Sequence, residues 1–243
     1  MDTISLQKAA FFISLFLSTS IGYAQTAAPN GEVHVVGAMK NVKWKGQLYA
    51  TLDLDTINPK THLFGLGPVE YLKGEILVLD GAIYQSNVQA DSSMIVREVN
   101  RVKAPFFAYA HIAFWESKSL PDHITTIPQL ENYLEKLSKD PTKPTFFRLT
   151  GTFASVSIHV VNLPDGSKVS SPEEAHVGRI DYPLGETIGE ILGFFSTAHK
   201  TIFTHHDTWL HLHLLTQDKR MMGHVDEVTF KPGSLKIWLP AEN

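Results

Sequence analysis

Three histidines stand in the stretch WLHLHLLTQDKRMMGH, residues 209–224: His211, His213 and His224. Neutral imidazole is a common protein ligand for metal ions. Alternate residues of a strand face the same side, so His211 and His213 project together with Trp209. Leu210, Leu212 and Leu214 then form the opposite, core-seeking face. The polar segment TQDKRM predicts a turn centred between Asp218 and Lys219, which sets His213 directly across a hairpin from His224. Directly opposed Cβ atoms lie about 4.5–5.5 Å apart on one face. Three neutral imidazoles leave a fourth position for water or substrate, the arrangement of an open catalytic zinc site. A one-residue bulge in the turn would send His224 to the other face. His-x-His pairs also occur as plain polar strand faces, so the residues alone leave both readings open. His205, His206 and Asp207 in THHDTW add further ligands, groups that orient a ligand ring, or simply a polar loop.

The elements that must position these side chains are mostly strands. EILVLDGAIYQS reads as a hairpin about Asp80-Gly81, a type I′ turn signal, with Leu79 opposite Ala82 and Leu77 opposite Tyr84. Glu75 falls near its open end on the face shared by Leu77 and Leu79. It is either a solvated carboxylate at a strand end or an acid held against apolar neighbours. APFFAYAHIAFW, residues 104–115, is a further strand-like run. One helix is marked by Thr126 as cap, Gln129 three residues on, and Leu130, Tyr133, Leu134 and Leu137 at helical spacing. KDPTKP, residues 139–144, stops it and is the best internal boundary. The expected class is α+β: two mixed or antiparallel β-sheet subdomains with few helices, over residues 25–140 and 141–243. The second carries the histidine hairpin.

Composition narrows the function classes. The 243 residues are 43% hydrophobic and 19% charged, enough for one large core or two modest ones. The formal charge of −4 and the absence of a Lys/Arg block point away from nucleic acid and anionic membranes, toward a small-molecule or protein partner. There is no cysteine, which excludes thiolate metal sites and a Cys nucleophile. GLGPVE lacks the third glycine and following helix of a dinucleotide loop, and no His-Glu-x-x-His or Gly-x-Ser-x-Gly occurs. A cupin would place a Glu shortly after His-x-His, where Leu214 to Asp218 offers none. Residues 1–24 have Lys8, an apolar run from Ala9 to about Ile21, and small residues at Gly22 and Ala24. That is the layout of a secretory signal peptide. An exported product is expected, periplasmic or extracellular, with no membrane association once the segment is removed.

The histidine hairpin HLHLLTQDKRMMGHV resembles the zinc hairpin of the acetolactate decarboxylases. FGLGPVEYLKGEILVLDGAIYQ is similar to that family's Gly-rich stretch leading through Leu-x-Gly-Glu into a Leu-Asp-Gly hairpin. APFFAYAHIAF, FFRLTGTFASV and LGFF (192–195) follow in family order, so the resemblance runs from about residue 63 to 226. It implies a mixed α/β fold of two sheet-containing parts, one Zn2+, and conversion of 2-acetolactate, a small 2-hydroxy-3-keto acid, to acetoin and carbon dioxide. His211, His213 and His224 become the zinc ligands, and Glu75 becomes the acid/base beside the substrate. Arg148 becomes a substrate-binding residue, and a homodimer is the protein assembly to expect. Two departures accompany it. His159 stands where the family has a second Arg against the substrate, and lacks that residue's permanent bidentate charge. The resemblance also implies a further Glu beyond the last histidine, for which Glu227 and Glu242 are the late candidates. The alternative is a non-catalytic exported relative that binds metal and a small hydroxy- or keto-acid.

Overall fold

The computed structural model describes residues 30–242; residues 1–24, expected to be a signal peptide, lie outside the described residues. Two six-stranded sheets make up most of the fold, and all their pairings are antiparallel. The first runs, edge to edge, through His34–Val36, Phe107–His111, Leu63–Pro68, Glu75–Leu79, Ala82–Val88 and Met94–Glu98. The second runs through Ile180–Leu184, Thr145–Val160, Thr187–Phe195, Leu210–Thr216, Met222–Pro240 and Trp115–Ser119. Its long Met222–Pro240 strand also pairs with Thr145–Val160, closing four strands into a ring. Three α-helices, Met39–Lys45, Ile127–Leu137 and Pro172–Ala175, complete an α+β architecture among the described residues. The chain changes sheets between His111 and Trp115, upstream of the 139–144 segment where the sequence sets its internal boundary. Trp115–Ser119 lacks a neighbour in the first sheet and instead covers the edge of Met222–Pro240.

Local sequence explains the elements that matter for the site. Asp80 and Gly81 both have positive φ (48° and 85°), as a type I′ turn requires, and Leu79 pairs Ala82 while Leu77 pairs Tyr84. Helix Ile127–Leu137 begins at Thr126, where Gln129 Oε1 accepts the Thr126 N–H at 3.1 Å. The histidine hairpin has the expected register: His213 pairs with His224 and Leu215 with Met222, about a turn closed by the Lys219 N–H donating to the Thr216 carbonyl.

Strand alternation then divides the core. Leu210, Leu212 and Leu214 join Phe147, Leu149, Ile191 and Ile237 in the interior of the second sheet, covered by Leu130 and Leu134 of the helix. Ile76 and Val78 pack on the outer side of the first sheet with Leu54, Ile83 and Phe107. Between the sheets lie Leu66, Leu77, Phe106, Phe194, Phe203, Leu215 and Met222. The histidine face of one sheet and the Glu75 face of the other therefore both point into this shared layer.

Gly193 shows how tightly the second sheet is filled. It pairs directly with Phe147, whose fully buried ring lies over the space a Cβ at Gly193 would need. Gly193→Ala is expected to overpack this spot and lower stability by about 1–3 kcal/mol, measured by urea unfolding. Unchanged stability would show that the ring has room to move.

Candidate metal centre

His211, His213 and His224 are all buried, and one nitrogen from each lies within 4.8 Å of the other two. Two of the rings are oriented by carbonyls, which can only accept. His211 Nδ1–H donates to the Phe203 carbonyl at 2.7 Å, and His213 Nδ1–H donates to the Ile76 carbonyl at 2.9 Å. Both tautomers are thereby set, leaving bare lone pairs on the two Nε2 atoms, which face each other at 3.2 Å. Two acceptors at that distance have no hydrogen to share, and a cation between them removes the repulsion. Burial pushes all three imidazoles toward the neutral form. His211 falls to about 3, and His213 and His224 fall well below the ordinary histidine value, helped by the neighbouring His211. Neutral, preoriented, buried nitrogens fit a metal ion.

Glu75 comes from the facing sheet, in the same strand whose Ile76 carbonyl orients His213. Its carboxyl is buried, accepts the Val161 N–H at 3.3 Å, and places Oε2 3.6 Å from His213 Nε2. Burial is the main cause that raises its pKa well above the usual carboxylate range; Asp226 adds to this while Val161 and Lys43 oppose it. The contact with His213 thus joins a neutral acid and a neutral imidazole rather than an ion pair.

His159 pairs with His224 across the sheet, its ring centroid 4.8 Å away. Its Nδ1 lies 2.9 Å from both carboxylate oxygens of Asp226, and Arg179 sits between Asp226 and Asp181. His205 stacks on His224 at 5.2 Å, whereas His206 and Asp207 are exposed. Of the late glutamates, Glu227 is exposed and Glu242 pairs with the exposed Lys139, so neither joins the site.

Arg148 does not line the histidine cavity. Through Leu192 it shares a cross-strand row with His213, two strands away, but its side chain is committed elsewhere. Its guanidinium pairs with Glu190 at 2.5 Å and stacks against Phe64, Trp115 and Trp238. It lines a separate cavity of about 630 Å³. The histidine cavity is far smaller, about 40 Å³, yet it is the one that gathers oriented imidazoles and a buried acid.

Two polar residues lining the cavity, Lys43 and His176, are not among the candidates that the sequence offers. Lys43 follows Met39 and Val42 at i+4 and i+1 on the buried face of helix Met39–Lys45, a spacing that could have revealed it. His176 follows the short helix Pro172–Ala175 inside a polar loop, where nothing nearby in sequence distinguishes it.

Fold and site together define a two-sheet protein with a buried three-histidine cluster that could hold a metal ion. Residues 44–241 match the family described as alpha-acetolactate decarboxylase, and the chain belongs to that family. An alpha-acetolactate decarboxylase from Brevibacillus brevis is 26% identical over 205 residues, covering 81% of this chain and 66% of that protein. The chain thus spans a little under two thirds of that relative's length. One from Lactococcus lactis subsp. cremoris is 24% identical over 179 residues, 71% of this chain and 70% of that protein. The crystal structure of the Bacillus subtilis alpha-acetolactate decarboxylase aligns with a TM-score of 0.70 at 20% identity, covering 87% and 86% of the two chains. A Staphylococcus aureus protein of unknown function similar to alpha-acetolactate decarboxylase aligns at 0.67 and 14% identity, covering 86% of each chain. These likenesses establish a shared fold.

Two outcomes are expected. Adding a divalent transition-metal ion to chelator-stripped protein should raise the melting temperature, by about 2.7 kcal/mol of stabilisation at a hundredfold excess over Kd. His224→Ala should abolish that shift in differential scanning calorimetry. In the metal-free protein, stability should fall as pH drops below about 6.5, because unfolded histidines take up protons there. Folded His211 resists protonation until about 3, so the loss continues down to that value. A flat urea midpoint between pH 7 and 5 would contradict buried neutral histidines.

Proposed function

We propose that the chain is a zinc-dependent carboxy-lyase that converts 2-acetolactate to acetoin and carbon dioxide. The observation that carries this reading is a buried Glu75 carboxyl 3.6 Å from a ring of the three-histidine set, in a chain of this family. Three neutral imidazoles with an open position suit zinc, and His211, His213 and His224 would hold it. Bound there, the ion would supply electron withdrawal toward the ketone and hydroxyl oxygens of the substrate.

The chain's own groups account for the rest. Cleavage of the bond to the carboxylate carbon releases carbon dioxide and leaves an electron pair on the former C2, conjugated with the ketone. A proton must then reach that carbon. Glu75, kept protonated by burial, is the general acid for that transfer. The apolar wall of Leu72, Phe106 and Val161 restricts water, so the proton comes from a fixed donor. His159, steered by Asp226, lines the same cavity with its Nε2 available to a substrate oxygen. A five-carbon acid exceeds the present cavity, so admitting it requires lining side chains such as the half-buried His176 and His205 to give way.

The proposal includes export after removal of residues 1–24 and self-association as a homodimer. The leader-like pattern supports export, and neither enters the chemistry.

Purified protein should carry about one zinc per chain and form acetoin from racemic acetolactate. Glu75→Gln should keep the zinc and lower kcat by about 10²–10⁴-fold. Stoichiometric zinc without acetoin would retire the decarboxylase and leave a metal- and acid-binding protein, the reading that the His159 departure favours.

A further inference from the structure

Lys43 is the only lysine or arginine lining the histidine cavity among the described residues. It is only 9% exposed, on the face of helix Met39–Lys45 that also buries Met39 and Val42. The helix is fixed in place. The Met39 and Lys40 N–H groups donate to the Ile202 and Thr201 carbonyls, and Gly46 ends it in the left-handed conformation. Among the described residues the Lys43 ammonium has no hydrogen bond and no carboxylate within 4.0 Å.

The side chain is largely buried while its ammonium keeps some accessible surface on the cavity, so an anion entering there can reach it and offset the cost of desolvating the charge. The anionic groups nearby do not fill that role. The Glu75 carboxyl faces the Val161 N–H and the His213 ring, Asp226 is engaged by His159 and Arg179, and Asp207 is exposed. Burial draws Lys43 itself down to about 8, which leaves it largely cationic at neutral pH. The other side chains around the cavity are apolar or histidine rings, and of these His159 is held against the Asp226 carboxylate. Arg148, the residue expected to meet the substrate, sits in another cavity.

We propose that Lys43 is the carboxylate anchor of this cavity, its ammonium pairing with the carboxylate of the small hydroxy- or keto-acid that binds beside the three histidines. This rests on the reading of the site as one for such an acid. An ion pair to the carboxylate that is kept from the bound substrate into the transition state is uniform binding, so the anchor acts on KM and little on kcat.

The test uses the zinc-loaded full chain with Lys43→Met and Lys43→Arg. One probe is 2,3-dihydroxy-2-methylbutanoate, in which an alcohol replaces the ketone so that no decarboxylation can follow. The other is butane-2,3-diol, which lacks the carboxylate. Lys43→Met should weaken the carboxylate probe by about 10–100-fold in calorimetry, leave the diol within about twofold, and keep the zinc content. In turnover it should raise KM by a similar factor with kcat within about threefold. Lys43→Arg should restore most of the affinity, since it keeps the charge but cannot form an imine with a ketone. Unchanged affinity in Lys43→Met, equal loss of both probes, or no rescue by Arg would each overturn the anchor. Lys43-dependent binding without any acetoin would retire the decarboxylase and leave the anchor standing. Normal acetoin formation with an unchanged KM in Lys43→Met would do the reverse.

Discussion

Desolvation of three imidazoles between two packed sheets sets the terms for the rest of the molecule. In water each ring would titrate near neutrality and turn freely about its side-chain bonds. Packed between Phe106, Phe203 and the first sheet, His211 and His213 are held neutral, and two carbonyls fix which nitrogen carries the proton. The Phe203 carbonyl from a connecting loop and the Ile76 carbonyl from the facing sheet thus decide that the Nε2 atoms face inward. The same burial keeps Glu75 protonated, so one physical cause prepares both a ligand set and an acid.

The sheets make this environment by division of labour. The leucine face of strand Leu210–Thr216 supplies hydrophobic stabilisation inside the second sheet and leaves the opposite face free for polar rings. The first sheet covers those rings with a strand that contributes the Ile76 carbonyl and the Glu75 carboxyl from adjacent positions. Adjacent strand residues normally point to opposite sides, and here they do so. The Ile76 side chain enters the outer core while its backbone, with the Glu75 side chain, serves the site. Neither sheet builds the centre alone.

Around this centre the charges depart from the pattern that the family resemblance implies. His159 occupies the expected Arg position and is tied to Asp226, and Arg148 is committed to Glu190 and three aromatic rings elsewhere. The positive charge facing the cavity comes instead from Lys43, on a helix that enters from the N-terminal part of the chain. A cation moved from strand to helix keeps the field at the site while changing the direction from which an anion is held.

Much of the hairpin was legible because its determinants are local. The period-two alternation of Leu210 through Leu214, the polar turn and the Asp80-Gly81 pair fix faces and register through steric rules acting over a few residues. The distance from His213 to Glu75, the partner of each Nδ1–H and the isolation of Arg148 were not legible. They depend on how one sheet lies on the other and on which partners the Arg148 side chain meets. The sequence by itself determined that three histidines share one face of a hairpin and that Glu75 shares a face with Leu77 and Leu79. Only the tertiary structure decided that these two faces meet, which residues desolvate them, and that Lys43 is the cation beside them. Alternation is a local property of the backbone, whereas burial and charge proximity arise from packing between segments far apart in the chain.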